Sequence, residues 1–155
     1  MMSKRIVLIA CCAQKLSYPA PTKELYKSPL FVNSLAYAQQ LHPDAIYVLS
    51  ALHYLVSLDQ VIAPYNVTLS YIPPKKRKND IQILNKKQKI LWSDRVIAQL
   101  REVAKLEQDE FTILAGKEYY ERLLSHLHKW QVPLGNLRQG ERMAFLKAKL
   151  ATRYQ

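Results

Sequence analysis

Two side chains near the middle of the chain could carry out acid–base chemistry on a water molecule. Asp59 is the only carboxylate, and His53 the only imidazole, in the connection formed by residues 50–69. A carboxylate and an imidazole placed side by side can orient and activate a water for attack. The alternative interpretations are structural: Asp59 could cap a turn or a helix, and His53 could be a hydrogen-bonded core histidine.

Other residues are suited to holding the phosphates and bases of a nucleic acid. Lys15 and Lys117 could bind phosphates, and backbone N–H groups at a helix start at Gly116 could add a second anion site. Three tyrosines could stack on bases, each base contributing about 1–3 kcal/mol, although each ring taken singly is more typical of packing. The predicted binding set comprises Gln14, Lys15, Tyr26, Ser50, Tyr65, Gly116, Lys117 and Tyr119.

A strongly basic segment follows the long connection. Residues 75–89 contain seven lysines and arginines and one acid, so they supply +6 of the formal net charge of +11. Such a concentration of charge attracts polyanions, and nucleic acid is the first candidate. We therefore add Lys75, Lys76, Arg77 and Lys78 to the predicted nucleic-acid-binding residues. A solvated lysine-rich loop is the alternative, and a membrane surface is disfavoured because the segment lacks aromatic anchors.

Three short apolar runs have to position these side chains. They cover Arg5–Ala10, Ala45–Leu49 and Glu110–Leu114, and each ends abruptly in small or polar residues. Runs of this kind are typical of parallel strands covered by helices on both faces. The polar endings of parallel strands meet along one edge, where open α/β sheets bind their ligands. The sequence therefore predicts an α/β three-layer sandwich with a short, mostly parallel sheet and a cleft at that edge.

The remaining pattern predicts helices and one further strand. Helices are expected from Pro29, over residues 86–106, from Gly116, and from near Gly140, with a short strand at Val132–Leu134. In the last helix Met143, Leu146 and Leu150 are expected to face inward and Arg142 outward. The chain is expected to form a single domain over residues 1–155.

Cysteine and histidine usage limits the chemistry. The chain has two cysteines, adjacent at Cys11 and Cys12, which build no disulfide framework and favour a cytoplasmic location with reduced thiols. Strand alternation would send them to opposite faces, so at most one should reach the cleft, either as a nucleophile with His53 as its base or as a small buried thiol. No His, Cys and Asp cluster has metal-ligand spacing, and we expect no metal or cofactor. The apolar core of the first run is too short for a signal peptide, and no run is long enough to span a membrane.

The connection itself resembles a known signature. Residues Leu49–Leu69 are similar to the pattern L-S-A-x-H-G-L-x-x-P-D-x-x-I-x-P-Y-D-x-T-L of a bacterial and phage domain family of uncharacterised function, and a weaker form occurs in YaaA-like peroxide-stress proteins. Further matches cover nearly the whole chain; they are Pro19–Pro21, Glu24–Tyr26, Ser28–Phe31, Leu114–Gly116 with Tyr119, Pro133–Gly135 and Gly140–Arg142. Three positions depart from the pattern, with Tyr54 for Gly, Leu58 for Pro and Asn66 for Asp.

The resemblance implies a uracil-DNA glycosylase-like fold and an activity on DNA. Some relatives are DNA-binding or base-excising proteins, including phage-defence DNA glycosylases that attack hypermodified cytosines. A monofunctional glycosylase would flip a modified base out of the stack, with Asp59 or Asn66 positioning water or stabilising the cationic sugar and His53 assisting. A non-catalytic DNA-binding stress or defence protein is the alternative, followed by an enzyme acting on RNA or free nucleotides. The oligomeric state stays open.

Overall fold

The computed structural model describes residues 3–78 and 80–152. Its strands are β1 (Arg5–Ala10), β2 (Ala20–Pro21), β3 (Ala45–Ser50), β4 (Tyr54–Ser57), β5 (Val61–Ile62), β6 (Val67–Thr68), β7 (Gln82–Ile83), β8 (Glu110–Leu114) and β9 (Lys129–Gln131). Its α-helices are α1 (Thr22–Leu25), α2 (Pro29–Gln40), α3 (Lys86–Val103), α4 (Lys117–Tyr120) and α5 (Gln139–Ala151), with 3₁₀ turns at Pro74–Lys76 and Leu124–His126.

The central sheet has the strand order β4-β3-β1-β8-β9. Its inner strand β1 pairs in parallel with both neighbours, so that Ile6 lies opposite Ala45 on one side and Phe111 on the other. β9 continues the parallel part, and β4 is antiparallel to β3. The prediction of three parallel strands is confirmed, and the carboxyl ends of β1, β3 and β8 meet at one edge.

Helices cover both faces of this sheet, as the continuous apolar runs predict. Ile6 and Leu8 of β1 pack into a core that α3 closes, whereas Val7 and Ile9 pack into a second core beneath α2 and α5. The four side chains are at most 2% exposed. Burying an aliphatic side chain this fully contributes about 1.5–3 kcal/mol, so β1 is the centre of a mixed α/β fold.

Capping residues fix where the two long helices start. The Ser28 hydroxyl accepts a hydrogen bond from the Phe31 N–H at 3.2 Å, and Pro29 takes the first helical position of α2. Asn85 and Gln88 form a reciprocal capping box at the start of α3. Such caps satisfy N–H groups that a helix start would otherwise leave unpaired. As a result, α2 begins at the carboxyl end of β1, beside the edge where the site lies.

Asp109 ties together the opposite, amino-terminal edge of the sheet. Its carboxylate accepts backbone hydrogen bonds from Lys4 and Lys105, both at 2.8 Å. Burial opposes ionisation of Asp109, but these two hydrogen bonds and the two lysine charges outweigh it and lower the pKa of the carboxyl. The ionised side chain therefore fixes the start of β1 against the start of β8.

Several elements differ from the sequence prediction, which also lacks the short elements β2, α1, β5, β6 and β7. The connection contains β4, which reverses onto β3 through a tight turn with Tyr54 at φ 64°; its burial does not alternate, so periodicity could not reveal it. The last strand is β9 rather than Val132–Leu134, where the Gly135 N–H closes a turn on Val132. The helix after Gly116 is the single turn α4, and α3 ends at Val103. Among the described residues no helix is both long and apolar enough to cross a membrane.

Candidate functional site

A cleft opens where β1 and β8 end. It consists of two adjoining cavities of about 160 and 230 Å³ that share Cys11, Cys12, Ser70 and Tyr119 as walls. The smaller cavity is bounded by Gly116 and Arg142 and by the start of α2, and the larger by Lys15, Asn66 and Thr68. Among the described residues, no carboxylate lines either cavity. The cleft is therefore suited to anionic ligands.

Both cysteines line this cleft, which corrects the expectation that at most one would reach it. β1 ends at Ala10, so the alternation of a strand no longer applies to Cys11 and Cys12. The Cys11 Sγ lies 3.4 Å from the Tyr119 hydroxyl, and the Cys12 thiol donates to the Gln14 carbonyl at 3.2 Å. Neither thiol contacts His53 in the described hydrogen bonds, which gives no support to a cysteine–histidine pair.

Lys15 places a positive charge in the larger cavity. Its ammonium lies 4.3 Å from the centre of the Tyr65 ring and 5.8 Å from that of Tyr26. Burial lowers the pKa of Lys15, and the neighbouring Cys11 and Cys12 oppose that shift. A half-buried ammonium on an aromatic face is a fixed cation with few water molecules around it, so an anion would bind it more strongly than an exposed lysine.

A chain of buried hydroxyls supports the ring beneath Lys15. The Ser50 hydroxyl donates to the Tyr65 hydroxyl at 2.7 Å, and the Tyr65 hydroxyl is also hydrogen-bonded to that of Tyr26. Burial raises the pKa of Tyr26 and of Tyr65 well above the usual range of a phenol. Both phenols therefore stay protonated at neutral pH and serve as fixed hydrogen-bonding groups rather than as acids or bases.

The predicted stacking role is not supported for the two buried tyrosines. Tyr26 is 2% exposed and Tyr119 is 6% exposed, so neither presents an open face to a base. Tyr119 packs edge-on against Trp92 and holds its hydroxyl 3.4 Å from that of Thr68. Tyr65 is half-buried, but Lys15 covers one face of the ring. What reaches the larger cavity is the polar end of Tyr119.

His53 lies against the same hydroxyl chain. Its ring meets Tyr65 edge-on at 5.2 Å between centroids, and its backbone N–H donates to the Ser50 hydroxyl at 2.9 Å. The Nε2 atom is buried and has no hydrogen-bond partner among the described residues. His53 does not line either cavity. The imidazole is therefore positioned behind Tyr65.

Asp59 pairs with Lys23, and among the described residues no contact supports the predicted pairing of Asp59 with His53. Its carboxylate forms a salt bridge of 2.8 Å with Lys23 of α1, and its side chain is 85% exposed. The reason is local: backbone hydrogen bonds from Thr22 and Lys23 to the carbonyls of Gln60 and Leu58 fasten this turn to α1. Because Asp59 lines neither cavity, the structure does not bring it to a water bound in the cleft.

The basic residues Lys75–Lys78 are exposed and begin at the rim of the larger cavity. Ile72 precedes them, Ile81 follows them, and both side chains line that cavity. The Arg77 Nε donates to the Ile72 carbonyl at 2.8 Å, and the Ile81 N–H donates to the Lys78 carbonyl at 3.2 Å. The basic loop, Lys75–Lys78, is therefore hydrogen-bonded to the residue on each side that lines the larger cavity.

Among the predicted binding residues, Lys15, Gly116 and Tyr119 line the cleft, whereas Tyr26, Ser50 and Tyr65 line neither cavity. Gln14 and Lys117 are exposed and line neither cavity. Arg142, expected to face solvent, is half-buried and packs over Gly116. Helical periodicity could not predict this, because a long side chain at the boundary of the apolar face can fold back. The Arg142 Nε donates to the Leu137 carbonyl at 2.9 Å and holds it there.

A larger cavity, about 430 Å³, lies at the opposite edge of the sheet. It contains Arg5, whose guanidinium is already hydrogen-bonded to the Leu41 and His42 carbonyls at 2.9 and 2.8 Å. The strand-end cleft is the better candidate, since ligands of open α/β sheets bind beyond the carboxyl ends of strands. The described residues contain no group of three or more His, Cys, Asp or Glu that could hold a metal ion.

Comparison with known proteins identifies the family of this chain. A protein-family model matches residues 6–148, which include the strand-end cleft, the basic loop and Arg142. Searches of curated proteins and of solved structures found no match. The matched range covers almost all of the described residues. The chain therefore belongs to DUF6884, a family of unknown function.

Proposed function

We propose that this protein binds DNA on its basic loop and admits one nucleotide into the strand-end cleft. The observation that carries the proposal is the continuity of the two surfaces: Ile72 and Ile81 flank the loop and also line the cavity that holds Lys15. A strand bound on the loop would therefore lie next to an opening that favours anions. The strand that binds the loop could therefore also supply the nucleotide that enters the cleft.

The charge of the loop supports contact with the DNA backbone. Lys75, Lys76, Arg77 and Lys78 are exposed, and Asp80 is the acid closest to them in sequence. Cations of this kind neutralise phosphates and release counterions, which gives affinity without sequence preference. The Arg77 Cζ also lies 5.8 Å from the centre of the exposed Tyr71 ring. That ring is a platform for an unpaired base, unlike the buried tyrosines of the cleft.

The lining of the larger cavity supports a nucleotide as its occupant. Lys15 supplies a cation, and Asn66 and Thr68 supply groups that can donate and accept hydrogen bonds. A base extruded from the stack is read along its hydrogen-bonding edge by such groups. The absence of carboxylates among the described lining residues removes repulsion against the accompanying phosphate.

Excision of the admitted base is a second candidate function. Asn66 lines the cavity beside Lys15, so its amide could position a water against the sugar of the nucleotide. This would make the protein a DNA glycosylase for a modified base, such as a hypermodified cytosine of phage DNA. The support is the place of Asn66 and the resemblance to uracil-DNA glycosylase-like proteins. In this version of the mechanism Asp59 acts outside the chemistry.

DNA binding is tested by fluorescence anisotropy with labelled single strands and duplexes. The test variant replaces Lys75, Lys76, Arg77 and Lys78 by Gln, and a control variant replaces Arg101, Lys105, Lys129 and Lys147 by Gln. Both remove four positive charges from exposed positions. The proposal expects loss of binding in the first variant and binding close to wild type in the second. Equal loss in both would mean that net charge alone attracts DNA.

Base excision is tested by incubating the protein with modified and unmodified DNA and cleaving abasic sites with alkali. Strand cleavage that disappears in Asn66→Ala and persists in Asp59→Asn supports the second candidate. Intact strands across a broad panel of modified bases would contradict it and leave the binding function in place.

A further inference from the structure

We propose that Arg142 forms a phosphate subsite in the smaller cavity of the cleft. The inference rests on the proposed function only in naming a nucleotide as the molecule that carries the phosphate. The site is distinct from the basic loop: it lies on α5 and against the end of β8, whereas the loop adjoins the other cavity, which shares Cys11, Cys12 and Tyr119 with this one.

The guanidinium of Arg142 is held in place on one side. Its Nε donates to the Leu137 carbonyl at 2.9 Å. Its Nη1 lies 3.3 Å, and its Nη2 3.6 Å, from the point that a Cβ on Gly116 would occupy. The terminal Nη1 and Nη2 edge of the guanidinium therefore faces Gly116, in the space that a side chain at this position would fill. An alanine at this position would push it by a few tenths of an ångström.

The two terminal nitrogens of the Arg142 guanidinium have no partner among the described residues. Among the described residues, no hydrogen bond and no ion pair is formed by Nη1 or Nη2 of Arg142, and the lining of the cavity contains no carboxylate. Ser28, Ser34 and Gln139 are the polar neighbours in that lining. A guanidinium that is held by its Nε and has terminal N–H groups without a described partner can donate to the oxygens of a phosphate.

The arrangement of the two cavities indicates the size of the ligand that would fit the cleft. Arg142 lies in one and Lys15 in the other, and the shared walls at Cys11, Cys12, Ser70 and Tyr119 join them into one cleft. A phosphate on Arg142 would place an attached nucleoside toward Lys15 and Asn66. The ligand class is therefore a nucleoside monophosphate or the equivalent unit of a strand, bound phosphate first.

The test measures binding of thymidine 5′-monophosphate, thymidine and inorganic phosphate by calorimetry. The wild type is expected to bind the monophosphate more tightly than thymidine. Arg142→Lys keeps the charge but loses the guanidinium N–H donors and the hydrogen bond that holds the side chain on Leu137, so it should weaken monophosphate binding by about tenfold. Lys147→Gln, which removes an exposed cation from the same helix, should leave the monophosphate affinity unchanged.

A pair of glycine variants tests the same site without altering any charge. Gly116→Ala should displace the guanidinium and weaken the monophosphate, whereas Gly140→Ala has open space around the new Cβ and should not. Equal affinities in Gly116→Ala, Arg142→Lys and wild type would overturn the subsite, as would a wild type that binds thymidine as tightly as its monophosphate. If Arg142→Lys fails to fold, the glycine pair still decides the question.

This outcome is separable from that of the proposed function. The variant with a neutralised basic loop should keep its affinity for the monophosphate, and Arg142→Lys should keep the salt-dependent binding of long DNA. Loss of DNA binding in the wild type with retained monophosphate affinity would refute the proposed function and leave the Arg142 subsite intact.

Discussion

The ammonium of Lys15 rests on the Tyr65 ring, 4.3 Å from its centre, and the hydroxyl of that ring is held by Ser50 from behind. The position of the Lys15 ammonium thus depends on a chain of hydroxyls, those of Ser50, Tyr65 and Tyr26, that does not itself line either cavity. Ser50 is the last residue of β3, and Tyr65 lies between β5 and β6. Mutations in this chain should therefore affect both stability and the cleft.

Replacing Tyr65 by Phe should destabilise the protein while keeping the ring under Lys15. The change removes the partner of the Ser50 and Tyr26 hydroxyls, and leaving a buried polar group unsatisfied costs about 1–3 kcal/mol. Urea denaturation measures the free energy of unfolding. Tyr71→Phe is the control, since Tyr71 is 67% exposed and should change little. Equal stability of Tyr65→Phe and wild type would mean that the hydroxyl chain contributes nothing.

Lys15 should lose its proton at a lower pH than an ordinary lysine. Burial disfavours the ammonium and lowers the pKa of Lys15 from the usual 10.5 of a lysine. Lys23 is the internal reference, because its hydrogen bond to Asp59 raises the pKa. Titration of the two lysine side chains by NMR should show Lys15 changing first as the pH rises. The reverse order would mean that Lys15 is hydrated and not held on Tyr65.

The sheet could be predicted from the sequence more fully than the site. β1 and β8 have the predicted ends because buried parallel strands read as unbroken apolar runs. Asp59 could not be placed, since its partner Lys23 is 36 residues away and only tertiary contacts bring them together. Arg142 was missed for a related reason: Gly116 makes room for it across 26 positions, and no local pattern encodes that close approach.

Asp109→Asn should lower stability at neutral pH and lose that effect in acid. The folded carboxyl has a lowered pKa, so its contribution is complete above the unfolded value near 3.8 and disappears as the pH falls through the folded pKa. At neutral pH the loss should be about 1.5–3 kcal/mol, as for hydrogen bonds to a charged group. Thermal unfolding between pH 2 and about pH 7 measures the difference. Asp94→Asn, at an exposed position of α3, is the control and should show no such trend.

Asp59→Asn should leave DNA binding unchanged. The carboxylate is exposed, pairs with Lys23 and does not line the cleft. Anisotropy measurements on the variant and on Asn66→Ala separate the two positions, because only Asn66 lines the cavity beside Lys15. A marked fall in affinity for Asp59→Asn alone would mean that the turn beside α1 contacts the DNA.

The contribution of each basic-loop residue to DNA binding should be measurable from the salt dependence of the affinity. Lys76→Gln should reduce the slope of log affinity against log salt by about 0.9 on duplex DNA if it contacts one phosphate. The reduction should be the same for unrelated sequences, because a phosphate contact carries no base information. Lys147→Gln, on α5, should leave the slope unchanged.

Ile72 and Ile81 flank the basic residues Lys75–Lys78 and are also walls of the cavity that holds Lys15. Under the proposed function, occupancy of the cavity and binding of the DNA strand would be linked equilibria, and linkage is reciprocal. By whatever factor a bound nucleotide tightens the grip of the loop on a strand, the strand must tighten retention of that nucleotide. A small molecule bound between the two isoleucines would then change the affinity of the protein for the strand without contacting the strand.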